Sequence, residues 1–257
     1  MNTDTRPIGV FDSGVGGISV LKELVAIMPN ENFIYFGDSA NAPYGTKPIE
    51  IVADMTMSTA DMLIEKGCKC IVIACNTATV AAVTKIRQKY SDIPIIGIEP
   101  ALKPAALANP GRRILVLATH VTLNQKKFLN LLEQFKDTAD IRTLEAPGIV
   151  EFVEHGLMDT PEFYEYLCEL LKDYIDNPPD ALVLGCTHYP FARARILSVL
   201  NNYPKAYDGG NGTARETLNQ LIKHSLLAPK DAAGNIVFLN SREDEIALCR
   251  KLFNEKM

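Results

Sequence analysis

The chain lacks the features that mark membrane, secreted and nucleic-acid-binding proteins. No apolar run approaches the ~18 residues that a membrane span needs. The opening stretch, MNTDTRPIGVFD, has no basic segment followed by an apolar one, so no signal peptide is expected. Positive charge is not in excess: 26 Lys and Arg face 31 Asp and Glu, for a net charge of −5. No basic stripe with interleaved aromatics appears either, so no nucleic-acid partner is expected. Cysteine is sparse, with six in 257 residues. That is not the disulfide framework of a small secreted domain, and a reducing cytoplasm fits better. The usual Cys-x₂-Cys metal spacing is absent; Cys68-x-Cys70 and Cys186-x-His188 do not supply it. The glycine-rich loop DSGVGG (12–17) matches neither the dinucleotide nor the P-loop pattern. Its backbone N–H groups suit a phosphate or a carboxylate equally.

What is present is an ordinary globular balance, 47% hydrophobic and 22% charged. At roughly 150 residues per domain, the length allows one large or two small domains. Short apolar runs at 8–11, 33–36, 70–74, 93–98, 114–117, 141–144, 181–184 and 236–239 predict strands. Amphipathic stretches at 20–28, 49–66, 77–89, 124–135 and 161–174 predict helices between them. Alternation of this kind implies βαβ units, and nearly continuous apolar strands imply parallel sheets buried on both faces. The fold class is α/β.

The pattern also repeats. RPIGVFDS (6–13) and RRILVLAT (112–119) are both strands with a basic start and a hydroxyl end. The step from Ser13 to Thr119 is close to the step from Cys75 to Cys186. Two similar, doubly wound α/β domains related by a pseudo-two-fold are expected, with a ligand cleft between them. The first is read as 1–98 plus 208–257, the second as 99–207.

Ligands in open α/β sheets bind beyond the carboxyl ends of the strands. Asp12, Ser13, Cys75, Asn76, Thr119, Cys186, Thr187 and His188 all fall at such ends. CIVIACNTAT (70–79) and ALVLGCTHYP (181–190) share one form: an apolar run, a small residue, a cysteine and polar followers. Matched thiols on two sides of one ligand allow three chemistries: a disulfide switch, a metal site, or proton transfer at a stereocentre. The metal option suffers from the spacing, and the disulfide needs close approach. In proton transfer, one thiol removes a proton from one face and the other returns one to the opposite face. Thiols serve as bases only when tuned. Asp12 is placed to assist Cys75, and His188 to assist Cys186. Free cysteines are most often buried core residues; Cys68, Cys70, Cys168 and Cys249 read that way. His120, His155 and His224 read as structural. Tyr44, in the turn APYGT (42–46), reads equally as a ligand contact or a packed loop residue.

Taken together, FDSGVGG (11–17), PYG (43–45), ACNTAT (74–79), IEP (98–100) and GCTHYP (185–190) resemble the glutamate racemases of the aspartate/glutamate racemase superfamily. They occur in the family's order and span most of the chain. The resemblance implies interconversion of L- and D-glutamate, supplying D-glutamate for peptidoglycan and hence cell shape, without pyridoxal phosphate, metal or any other cofactor. It implies Cys75 and Cys186 as acid/base thiols assisted by Asp12 and His188. Substrate contacts are implied at Asp12, Ser13, Tyr44, Gly45, Asn76, Thr77, Thr119, Thr187 and His188, and a homodimer is expected. A family glutamate, in a segment resembling VPLVEEG, maps onto VEFVEHG (150–156) as Glu154; Glu151 stands where the family usually has proline. An aspartate-specific relative would carry different ligands for the distal carboxylate. A non-catalytic ligand-binding member of the fold would be expected to have lost one thiol.

Overall fold

Most strands form where β-branched and aromatic residues run without polar interruption, as in Ile-Gly-Val-Phe-Asp at residues 8–12. All five of those residues are buried. The computed structural model describes residues 3–255. Among them the strands are β1 (Ile8–Asp12), β2 (Phe33–Gly37), β3 (Cys70–Ile73), β4 (Ile95–Gly97), β5 (Arg113–Ala118), β6 (Asp140–Glu145), β7 (Ala181–Leu184), β8 (Lys205–Asp208) and β9 (Ile236–Asn240). They form two sheets, ordered β4-β3-β1-β2-β9 and β6-β5-β7-β8, and every pairing is parallel. The chain divides accordingly into two compact units, residues 3–99 with 210–255 and residues 100–209.

Read from the other edge, the second sheet runs β8-β7-β5-β6. It therefore has the order of β4-β3-β1-β2, with β9 as an extra strand on the first. The repeat expected from the sequence is a repeat of topology: β5 answers to β1 and β7 to β3. Each unit has its own core. One gathers Phe11, Val52, Leu63, Ile71 and Ile73, the other Leu102, Ile114, Val116, Phe128 and Val183.

Strand β8 escaped the reading of apolar runs. Its sequence, Lys-Ala-Tyr-Asp, is half-exposed on an edge beside β7 and carries charge at both ends. The single helix expected at 161–174 is two, Pro161–Leu170 and Lys172–Ile175, separated by Leu171.

The amino ends of the strands in the first unit are tied by a buried ion pair. Lys69, just before β3, donates to Glu31 Oε2 at 2.6 Å and to Asp4 O at 2.5 Å. Glu31 Oε1 accepts from Ala228 N–H at 2.7 Å. No described helix is long and apolar enough to cross a membrane.

Candidate active site

In the first unit the site grows from the carboxyl ends of β1 and β3. The parallel register pairs Phe11 with Ile73, and two further residues along each strand place Ser13 beside Cys75. The Cys75 thiol donates to Ser13 Oγ at 3.5 Å. Cys75 also caps the helix Asn76–Lys89, its sulfur accepting from Ala78 N–H at 3.4 Å. The positive end of a 14-residue helix therefore meets the sulfur and favours its thiolate form. Asp12 is fully buried, and its Oδ1 accepts from Gly14 N–H at 3.0 Å. Asn76 and Thr77 are buried in the first turn of the same helix. Asn76 Oδ1 is buried without a hydrogen-bond partner, an acceptor held ready for a donor.

Tyr44 is buried, and its hydroxyl donates to Asp38 Oδ2 at 2.7 Å. Burial first, and then the Asp38 carboxylate, push the phenol's pKa up; the charges of nearby Cys75 and Asp12 add to this. The Tyr44 proton is committed to Asp38, so its oxygen faces any further partner as an acceptor. Gly45 follows in the same short turn, Tyr44–Thr46. Asp38 was not singled out in the sequence. Its signal was available: β2 pairs Gly37 with Asp12, which puts Asp38 at the same strand-end level as Ser13. The Asp38 N–H in fact donates to Asp12 O at 3.0 Å.

In the second unit the equivalent strands are β5 and β7. Their register pairs Leu117 with Leu184, and two further residues place Thr119 at the level of Cys186. Gly185 N–H donates to Leu117 O at 2.7 Å. A Cβ on Gly185 would stand 2.8 Å from that same oxygen, so only glycine lets the chain leave β7 here. Thr119 shares a 3.1 Å hydrogen bond with Thr122. Thr187 and His188 are buried. Cys186 Sγ lies 3.6 Å from His188 Nδ1, and His188 Nε2 lies 2.5 Å from Glu154 Oε1. Thiol, imidazole and carboxylate thus form one chain, with Glu154 brought in at the end of the helix Pro147–Glu154.

Burial alone would drive His188 to its neutral form. The hydrogen bonds and charges of Cys186 and Glu154 overcome it and hold the pKa well above 6.5. The stabilisation is therefore fully present below about pH 6.5 and is lost as pH rises through the elevated pKa. In Glu154→Gln, one raising influence disappears and burial regains weight. The His188 ring nitrogens, followed by NMR, should then lose their proton at lower pH than in the parent. An unchanged midpoint would show that Glu154 does not charge His188.

The other histidines and cysteines play no part in either constellation. His120 is exposed and pairs with Glu145 at 2.7 Å, while His155 meets Glu151 O. Burial pushes the Cys68 thiol up to about 11 and Cys70 higher still. Among the described residues no group of three or more His, Cys, Asp or Glu side chains is arranged to share a metal ion.

The chain matches the family model for Asp/Glu/Hydantoin racemase over residues 8–209. It is 47% identical over 258 residues to a glutamate racemase of Clostridium botulinum (strain Langeland), covering 100% of both chains. Among solved structures it is similar to Escherichia coli glutamate racemase in complex with L-glutamate and the activator UDP-MurNAc-Ala. The TM-score is 0.84 at 29% identity, over 96% of this chain and 95% of that one. The glutamate racemase of Francisella tularensis in complex with D-glutamate gives a TM-score of 0.83 at 29% identity, over 99% and 96%. With matched thiols on topologically equivalent strands, and similarity running the full length of its relatives, this chain belongs to the Asp/Glu/hydantoin racemase family.

Proposed function

We propose that this chain interconverts L- and D-glutamate by two-base, 1,1-proton transfer, with Cys75 and Cys186 addressing opposite faces of one α-carbon. The observation that carries the reading is the equivalence of the two thiols. Each stands just past the carboxyl end of a corresponding strand, β3 or β7, and each has its own polar partner. A single catalytic thiol needs no such repeat. A reaction whose forward and reverse directions are mirror images does.

One thiolate takes the α-proton, and the electron pair is left on the α-carbon in a carbanion-like state. The opposite thiol then gives its proton to the other face. The helix Asn76–Lys89 presents its amino end to the Cys75 sulfur; His188, held by Glu154, lies 3.6 Å from the Cys186 sulfur as a partner for its proton. Each positioned acid or base contributes about 10²–10⁴-fold. Fixed donors around the carboxylates and exclusion of water supply much of the remainder. Asp12, Ser13, Tyr44, Gly45, Asn76, Thr77, Thr119, Thr187 and His188 hold the substrate. The unpartnered Asn76 Oδ1 suits the substrate ammonium, which has protons to donate. The relatives' names, with glutamate bound in two solved structures, support glutamate over aspartate. The product D-glutamate serves peptidoglycan synthesis in the cytoplasm, and the working form is a homodimer.

Circular dichroism tests this directly. Purified protein with no added cofactor should bring both L- and D-glutamate to zero ellipticity. Activity that disappears on dialysis against EDTA and returns with zinc would overturn the two-thiol account.

A further inference from the structure

We propose that Tyr189 is a positioning residue that sets Glu154 against His188, and so governs the base on the Cys186 side alone. The inference rests on the reading of Cys186 as one of the two acid/base thiols. Tyr189 directly follows His188 and is fully buried. Its hydroxyl donates to Ala146 O at 2.9 Å. Ala146 is the residue just before the helix Pro147–Glu154, and its own N–H donates to Ala118 O at the end of β5. Glu154 is the last residue of that helix, about 12 Å further on at 1.5 Å per residue. Two consecutive side chains of one motif thus hold opposite ends of one short helix. Tyr189 takes its start, and His188 takes its end through Glu154.

Other polar attachments hold the start of this helix: the Ala146 N–H donates to Ala118 O, and the backbone N–H groups of Gly148 and Ile149 donate to Tyr166. They tie it to β5 and to the helix Pro161–Leu170, not to the turn that carries Cys186. Ile149, Val150 and Val153 are buried, but apolar contact tolerates sliding and rotation. The Tyr189 hydrogen bond fixes the helix start to the turn that also carries Cys186, since Tyr189 N–H donates to Cys186 O at 3.1 Å. Without the hydroxyl, Ala146 O keeps the Ile149 N–H at 3.3 Å, which lies within its own helix and anchors nothing outside it. A displacement of about 1 Å at Glu154 is enough to cost on the order of 10²-fold in rate. Cys75 draws its support from Ser13 and Ala78 in the first unit, so it is spared.

The test separates the two faces. In a glutamate with chlorine on its β-carbon, a thiolate removes the α-proton and the C–H electron pair forms a Cα–Cβ double bond. Chloride leaves with its own pair, and water then hydrolyses the enamine to a keto acid and ammonium. Only one thiol is needed. The enantiomer that Cys75→Ser still eliminates is the one served by Cys186; if that variant shows no preference, the two-thiol reading itself fails. Tyr189→Phe should lower kcat for elimination from that enantiomer by about tenfold or more, with KM little changed. Elimination from the other enantiomer should stay within about twofold of the parent, which general damage to the fold would not allow. In a Glu154→Gln background the Tyr189→Phe penalty should vanish, because the two act in series. Equal losses on both enantiomers, additive penalties, or no loss would each overturn the proposal. Should Tyr189→Phe fail to fold, Gly148→Ala disturbs the same helix. Its Cβ would stand 2.7 Å from Tyr166 Cζ, and the same one-sided loss is expected.

Discussion

Cys75→Ser and Cys186→Ser are each expected to reduce racemisation by at least about 10²–10⁴-fold in both directions. Every turnover needs one group to remove a proton and a second, on the other face, to return one. A variant that keeps a single thiol can begin the reaction from one enantiomer but cannot complete it. Serine preserves shape and hydrogen bonding, so the loss reports on ionisation: a hydroxyl is far harder to ionise than a thiol near neutral pH. The supports differ between the sides, a helix terminus for Cys75 and a buried imidazole with its carboxylate for Cys186. Full racemase activity in either variant would remove that thiol from the mechanism.

The second large effect is on stability, at the opposite pole of the first sheet. Lys69→Met should destabilise the protein by about 3–5 kcal/mol, because it leaves the Glu31 carboxylate buried without its cation. Lys69 and Glu31 are both almost completely buried, at 1% and 3% exposure, so water cannot take over the missing role. The double variant Lys69→Met/Glu31→Gln should recover part of the loss, since no charge then remains to be compensated. Denaturant midpoints of the parent, the single and the double variant decide it. A single variant as stable as the parent would show that the pair adds nothing. The pair joins segments before β1, β2 and β3 and the stretch at Ala228, all at the amino ends of strands. Asp12 and Cys75 stand at the carboxyl ends. Turnover by the folded fraction of Lys69→Met should therefore match the parent.

The α/β class and most of the strands were legible because buried parallel strands write themselves as apolar runs; the mostly exposed edge strand β6 was legible only through Ile141 and Leu144. Strand β8 was not, because an edge strand open to solvent needs no such run, and Lys205 and Asp208 bracket it with charge. The two thiols were legible from position: each follows a strand and precedes polar residues. Glu154 could be named only through family resemblance, since nothing in VEFVEHG distinguishes it from Glu151. In the fold, Glu154 Oε1 lies 2.5 Å from His188 while Glu151, three residues earlier on the helix, is exposed to solvent, a distinction made by helical phase. Asp38 and Tyr189 were passed over for a shared reason. Each acts on another residue and not on a ligand: Asp38, although it stands at a strand end, holds the Tyr44 hydroxyl, and Tyr189 holds backbone 43 residues away, which no local pattern records.

The measurement closest to the central claim is the enantiomeric preference of the two serine variants toward β-chloroglutamate. Each variant retains one thiol, and elimination requires only one. With the thiols opposed across a single α-carbon, Cys75→Ser and Cys186→Ser must eliminate from opposite enantiomers, while the parent accepts both. If both variants eliminate from the same enantiomer, the two thiols do not serve opposite faces, and the two-base account of this chain is wrong.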